Sequence, residues 1–411
     1  MSQSGPIILV ASAAQAALAP ALSDAKLFPV TDASWADARD AVQRLQPAAV
    51  IVADPDHQGR LHELARQIAA REPYVPLIVV APREPLPDNA IVFTPSEDRF
   101  DRLIPRLSSA LRVRTLHDTV LRRIGNDPAL RTSLLQTDPL TEATVLLIGR
   151  GAGYPALSVA LGERVGVVGT LSIEGAAKHL NSRHLDGIVI GEGFSPRVVD
   201  AFLTVMSEDS RFRHLPILVT VSGVSPAFDL PNLEVAAEEP QRAVSDTLPL
   251  FRQHAFEARL DRTLKSLDAG GMLDPRTGLL TAAAFDRDFA TAVYQTQARG
   301  GVLAVVRFSF EHKDERVRTD AALIASRLMR RMDFGTLRND GSLLLVLAGA
   351  DLRGAHGIAK RLASVMKQTS HSARRESRID PDLTVAALKP GDSAKSLLAR
   401  LEPELPRAAA G

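Results

Sequence analysis

The sequence predicts an α/β chain in which two doubly wound parallel-sheet domains precede an α+β domain. Short, continuous runs of Val, Ile, Leu and Ala recur between residues 7 and 236. Such runs suit strands buried on both faces, as in parallel sheets covered by helices. Amphipathic stretches such as residues 60–71 separate them, giving the alternation of β-α-β crossovers. Beyond residue 270 the pattern changes to one long apolar strand, 301–308, and two short runs, 336–338 and 343–347, spaced as a hairpin.

Composition bounds the class. A length of 411 residues suffices for about three domains of ordinary size, each with its own core. With 45% hydrophobic and 24% charged residues the chain is globular, and a net charge of +1 supplies no electrostatic footprint for nucleic acid or a membrane surface. The absence of Cys excludes disulfides and thiolate metal sites. No apolar run approaches the ~18 residues of a membrane span. Residues 7–10 and the Ala-rich stretch after them lack a basic n-region, so they read as a first strand rather than a signal peptide, and the expected location is the cytoplasm.

The first domain, residues 1–128, places strands at 7–10, 48–53, 77–81 and 90–93. The second, 140–255, places them at 145–148, 165–168, 187–190, 217–221 and 233–236. These lengths fit doubly wound domains of flavodoxin type. Long helical patterns follow, at 99–124 and 248–267. Leu103, Leu107, Leu111 and Leu121 fall roughly at helical spacing, so the first of these helices has an apolar face, whose first half is expected to pack on its own domain. Extended helices of this kind either couple adjacent domains or pair between protomers, the second outcome giving a homodimer.

Both domains resemble the receiver domain of two-component response regulators. The resemblance implies an aspartyl-phosphate site: an acidic pair after strand one to hold magnesium, an Asp ending strand three, a hydroxyl ending strand four and a Lys-Pro after strand five. In the first domain Asp54 ends strand three, but Ala11 and Ser12 replace the acidic pair, Ala81 the hydroxyl residue and Thr94, before Pro95, the Lys. Asp56 cannot stand in for ligands from strand one, so Asp54 is read as a vestigial phosphoacceptor. The second domain has Gly149 and Arg150 for the acidic pair, Gly191 for the Asp and Glu239 before Pro240, which makes it a structural pseudo-receiver. Its Gly149, Gly151 and Gly153 imitate part of a dinucleotide fingerprint, but the rest of that motif is missing and the loop reads as a plain turn.

The third domain, 270–411, opens with Asp274, Thr277, Gly278, Leu279 and Phe285 in Asp-Pro-Arg-Thr-Gly-Leu-Leu-Thr-Ala-Ala-Ala-Phe. This resembles the D-x-L-T-G-L-x-N-R-x-x-F opening of the GGDEF domains, nucleotidyl-cyclase-like α+β domains that make cyclic di-GMP. The resemblance implies a strand with Asp-x-Asp, a helix, an Arg-x-x-Asp and a hairpin carrying Gly-Gly-Asp-Glu-Phe. Here the hairpin reads Asn339-Asp340-Gly341-Ser342-Leu343, with Arg307 and Ser309 at the two metal positions and Ser342 at the Glu. Joining two GTP molecules needs a divalent ion on carboxylate oxygens, and an arginine repels one at close range. Shifting the hairpin by one residue puts Asp340 on the signature Asp and still leaves the Glu absent. No catalytic residue, metal or cofactor is therefore expected, and no enzymatic activity.

Arg330-Arg331-Met332-Asp333 survives, separated from Asn339 by residues 334–338. In active family members this tetrad forms an inhibitory site for cyclic di-GMP. Residues three apart on a helix share a face, so Arg330 and Asp333 are expected to address one ligand together. A guanidinium pairs with guanine O6 and N7, and a carboxylate accepts from guanine N1–H and the exocyclic amine. The bland alternative is a solvated helix end. A helix at 354–367 carries Lys360 and Arg361; Arg361 falls nearest the family's third ligand, where it can stack on a purine or pair with phosphate. Residues 383–388 read as a strand. The closing Lys-bearing pattern is replaced by a segment with Pro403 and Pro406, which stop a regular helix.

The order receiver, receiver, GGDEF resembles the PleD-type response regulators, and the loss of the enzyme letters makes the chain most similar to a non-enzymatic relative within that group. What this implies is a cyclic di-GMP effector, placed at the cell pole, that recruits other adaptor proteins of a regulated-proteolysis pathway in bacterial cell-cycle signalling. Two other classes stay open: a residual nucleotide enzyme recruiting metal through Asp340 or Asp314, and a ligand-independent scaffold.

Overall fold

The computed structural model describes residues 5–11, 18–24, 29–53, 58–82, 86–95, 100–125, 137–224, 228–236, 239–299, 301–310, 314–330, 332–370 and 379–402. The chain divides into two compact units, one of Met1–Ala176 and Leu185–Leu260, the other of Ala177–His184 and Asp261–Gly411.

The first unit holds two parallel sheets. Strands β1 (Ile7–Val10), β2 (Val30–Ala33), β3 (Ala49–Val52), β4 (Leu77–Val80) and β5 (Ala90–Phe93) lie in the order β2-β1-β3-β4-β5. This is the flavodoxin-like winding. Alternate residues enter two cores: Ile7, Leu9, Ile51 and Ile78 pack on one side, Ile8, Val10, Val50 and Val79 on the other. The second core is closed by α2 (Ala38–Leu45) and α3 (Gln58–Ala69), the first by α1 (Leu18–Asp24) and the start of α4 (Leu103–Ile124). The continuous apolar runs follow from this double burial. Strand β2 has no such run, because it is an edge strand with Asp32 exposed and only Ala33 buried.

The other sheet contains β6 (Thr144–Ile148), β7 (Gly166–Thr170), β8 (Gly187–Ile190), β9 (Ile217–Val219) and β10 (Leu233–Val235), wound the same way in the order β10-β9-β8-β6-β7. Its helices are α5 (Tyr154–Gly162), α6 (Ile173–Ser182), α7 (Pro196–Glu208) and the long α8 (Pro240–Asp268). The last begins eight residues before the predicted 248 and carries Pro249 inside it.

The expectation that α4 packs on its own domain through its first half only is corrected: the Tyr74 amide donates to His117 Nδ1 at 2.9 Å, and Arg114 donates to the Tyr74 carbonyl at 2.9 Å. Val113, His117, Val120 and Ile124 are buried as fully as Leu103 and Leu107. The reason is α8: the His117 ring meets Phe256 edge-on with centroids 5.0 Å apart, and Arg112 pairs with Glu257 at 2.9 Å. Earlier on α4, Arg106 is 1% exposed and donates to the carbonyls of Val92 at 2.7 Å and Pro231 at 2.8 Å, and to the Glu234 carboxylate. A buried guanidinium is tolerable only when its donors are met in this way.

The second unit is built on an antiparallel sheet. Its elements in chain order are α9 (Ala282–Arg299), β11 (Leu303–Ser309), α10 (Glu315–Leu328), β12 (Phe334–Leu337), β13 (Leu343–Ala348), α11 (Leu352–Met366), β14 (Thr369–Ser370), β15 (Asp382–Ala387) and α12 (Ala394–Ala399). The sheet order is β12-β13-β11-β15, with β11 and β13 paired from Leu303↔Ala348 to Phe308↔Leu343. Ala304, Val306 and Phe308 face the core under α10 and α11, while Leu303 and Val305 face Phe285 and Phe289 of α9. Segment Ala177–His184 is part of this unit: Arg183, 1% exposed, donates to the Thr369 hydroxyl and the Val365 carbonyl beside the opposite charge of Asp320, and Arg327 donates to the Leu180 carbonyl at 3.1 Å.

Candidate functional site

The opening motif of the second unit shapes the chain rather than presenting side chains to a ligand. One oxygen of Asp274 accepts the amides of Arg276 at 2.7 Å and Thr277 at 3.3 Å, and the Asp274 amide donates to the Leu279 carbonyl at 2.7 Å. Gly278 sits at φ 71°, a left-handed position that favours glycine. Phe285 is fully buried and stacks on Phe289 with centroids 5.6 Å apart.

The hairpin between β12 and β13 closes with the Gly341 amide on the Arg338 carbonyl at 2.9 Å and the Arg338 amide on the Ser342 carbonyl at 2.8 Å. Gly341 lies at φ 82°, as a three-residue hairpin loop requires at its last position. Asp340 is spent inside this loop. One carboxylate oxygen accepts the Ser342 amide at 2.8 Å and hydroxyl at 2.7 Å; the other accepts Arg307 Nη2 at 2.9 Å. Burial works against the charge, but the Ser342 hydrogen bonds and the Arg307 guanidinium hold the Asp340 carboxyl below the usual carboxylate range. Arg307 donates also to the Leu401 carbonyl at 3.3 Å. Beside it Arg338 forks onto Asp286, with one contact at 3.1 Å, and covers the Phe285 ring at 5.1 Å. An open groove of about 620 Å³ lies over these residues, lined by Ala282, Arg307, Arg338, Asp340, Leu398 and Leu401 among others. A divalent ion placed here would face the Arg307 guanidinium, which already takes the loop's carboxylate. Ser309, which the resemblance to GGDEF domains aligns with a metal position, ends β11 half-buried.

Arg330, Met332 and Asp333 are not helical, which corrects the expectation of a shared helix face. Helix α10 ends at Leu328, and Met329 turns to φ −64°, ψ 150°. The Asp333 amide donates to the Arg330 carbonyl at 3.0 Å, with Met332 in a turn between them. The Asp333 carboxylate offers the backbone an alternative to helix, as short acidic side chains do. It accepts the Arg330 amide at 3.3 Å through one oxygen and the Ala348 amide at 3.1 Å through the other. Asp333 is half-buried, Arg330 is exposed, and the Arg330 guanidinium has no hydrogen bond or ion pair among the described residues. Arg331 lies outside them.

Arg361 stands on the exposed side of α11, opposite a buried stripe of Ala355, Ala359, Leu362 and Met366. No contact joins it to Arg330 or Asp333 among the described residues. The sequence reading missed the exposed apolar residues next to Arg330 in the chain: Met332 is 62% exposed and Leu328 36%. The available signal was a large apolar residue at a position treated as a spacer.

In the first unit Asp54, Ser12 and Asp56 fall outside the described residues. The glycine loop after β6 folds onto Glu192, whose carbonyl accepts the amides of Arg150 at 3.0 Å and Gly151 at 3.1 Å. The Glu192 carboxylate lies so close to Gly151 that a Cβ there would sit 2.8 Å from it, so the chain's own acid takes the space a phosphate would need. No helix among the described residues is long and apolar enough to cross a membrane. Nor do the described residues include a group of three or more His, Asp or Glu placed to hold a metal.

No protein-family profile matches the chain, and no curated protein does. Solved GGDEF domains are similar to it over about a third of its length. The coiled coil and GGDEF domain of DgcB from Caulobacter crescentus, in complex with c-di-GMP, is 16% identical, with 35% of this chain and 83% of that one covered and a TM-score of 0.29. A sensory box/GGDEF family protein from Caulobacter crescentus is 20% identical over 32% of this chain and 92% of its own, with a TM-score of 0.27. The GGDEF domain of FimX from Pseudomonas aeruginosa is 16% identical over 32% and 88%, also at 0.27.

Proposed function

We propose that this chain is a catalytically inactive cyclic di-GMP effector, which takes the dinucleotide at the Arg330 turn and recruits partner proteins. The observation that carries the reading is the state of Arg330. It is an exposed guanidinium, without an internal partner among the described residues, at the family position of a guanine-binding arginine. Its planar fork matches guanine O6 and N7. Asp333 acts mainly by building the turn that presents Arg330, and its remaining lone pairs are available to guanine N–H groups. Arg361 joins only if a ligand reaches across to α11.

Inactivity is supported by the chemistry of the hairpin, where Arg307, Asp340 and Ser342 satisfy one another in place of carboxylates free to hold a cation. The receiver character of both parallel-sheet lobes, the adaptor role in regulated proteolysis and the polar location belong to the same reading and rest on the sequence resemblance. The test is calorimetric titration of the purified full chain with cyclic di-GMP. Saturable heat at micromolar ligand, lost in Arg330→Ala, is the expected result; a wild type without saturable heat sinks the reading.

One observation favours a second reading, the ligand-independent scaffold. The two amides held by the Asp333 carboxylate suffice to explain an Asp at that position without any ligand. The same titration separates the two, because a scaffold gives no heat.

A further inference from the structure

We infer that Met332 is a base-stacking residue of the Arg330 site, the floor on which one guanine of the dinucleotide lies while Arg330 reads its edge. The inference rests on the effector reading above. Of the tetrad's three charged residues, the two that are described, Arg330 and Asp333, divide unequally. Both Asp333 oxygens are engaged by backbone amides, so that carboxylate has little freedom to reorient toward a ligand. Among the described residues of the tetrad Arg330 offers the uncommitted charge, and a single guanidinium contact in open solvent is screened and weak. Something else must hold the base in plane for a bidentate contact to persist.

Met332 meets that need. It stands two residues from Arg330 in the same turn and is 62% exposed. Leu328, at the end of α10, is 36% exposed, and Leu352 is 47% exposed at the start of α11, four residues beyond the Ala348 amide that Asp333 holds. Leu328 and Met332 are thus exposed within two residues of Arg330, whose guanidinium has no partner among the described residues, whereas the hairpin tip presents Asn339 and Asp340. A flexible thioether is suited to a purine face, since its sulfur is polarizable and its chain adapts to a flat ring. Stacking is tolerant of base identity, so Met332 supplies affinity and Arg330 supplies the preference for guanine.

The experiment is titration of the full chain with cyclic di-GMP, comparing wild type, Met332→Ser and Met332→Phe, with melting curves on each. Met332→Ser is expected to weaken binding roughly tenfold, the loss of one stacked base. Met332→Phe is expected to bind as wild type or more tightly, which a merely structural role for Met332 would not produce. All three proteins should melt together, because the side chain is exposed. Met332→Ser binding as wild type, or Met332→Phe as weak as Met332→Ser, overturns the inference and leaves the effector reading standing. A wild type that binds no cyclic di-GMP removes both.

Discussion

The two ends of β12 treat charge in opposite ways. Before the strand, Arg330 is exposed with its guanidinium uncommitted among the described residues, and the acid of its turn is used on backbone amides. After it, Arg307, Asp340, Ser342, Arg338 and Asp286 pair with one another, so that each charge at the hairpin has a partner inside the chain. An arginine on the strand beside the loop is tolerable when an acid meets it, and here Arg307 is met by Asp340. The hairpin is an electrostatically finished structure; the turn is an unfinished one. Ligand affinity is expected where the charge is unfinished.

The comparison breaks most completely if the finished end turns out to be catalytic. With GTP and magnesium or manganese, the full chain is expected to form no cyclic di-GMP; product above a heat-killed control, measured by chromatography, would show that Asp340 leaves Arg307 to hold a cation. Next in size is the contrast between the two arginines. Arg330→Ala should weaken cyclic di-GMP binding some thirtyfold, about 2 kcal/mol, through loss of a charge-assisted bidentate contact. Arg307→Ala should leave that affinity within a factor of about two, since it lies at the other end of the strand. Equal losses from both in calorimetry would erase the distinction.

Stability sharpens it further. Asp333→Ala removes the acceptor of two amides and should cost about 1.5 kcal/mol in urea unfolding, while Arg330→Ala should cost less than about 0.5 kcal/mol. The smallest effect belongs to the hairpin. Its Asp340 carboxyl titrates below the ordinary range, so the unfolded chain binds the proton more readily, and the contribution of the pair is present above about pH 4 and lost as pH falls below it. Asp340→Asn should therefore flatten the stability profile between about pH 5 and pH 3 by under about 1 kcal/mol, as the exposure of the pair dictates. A steeper acid limb in Asp340→Asn than in wild type would contradict this.

Most of the parallel sheets could be read from the chain because burial on both faces leaves no choice of residue: Ile51 and Val52 serve two different cores from adjacent positions. Strand β2 was hidden because an edge exposes Asp32, and the start of α8 because Pro249 reads as a stop. At the candidate site, residue identity was legible and backbone was not. The spacing of Arg330 and Asp333 is compatible with a helix face, but spacing carries no information about where an Asp carboxylate will find amides. The one at Ala348 comes from a strand fifteen residues on. Arg361 was picked by spacing alone, and its place on the exposed side of α11 gives no sign of a partner.

The Arg183 contact bears on how the chain can be cut. Arg183 lies some eighty residues ahead of the rest of the unit it helps to build, and its donors complete the Val365 carbonyl and the Thr369 hydroxyl beside Asp320. A fragment beginning at Asp261 would include every motif of the α+β region and yet lack Ala177–His184, leaving a fully buried hydroxyl, a helix-end carbonyl and the Arg327 guanidinium without these partners. Sequence boundaries and folding boundaries therefore differ here. The domain that a motif search would excise is not the piece expected to survive alone in solution.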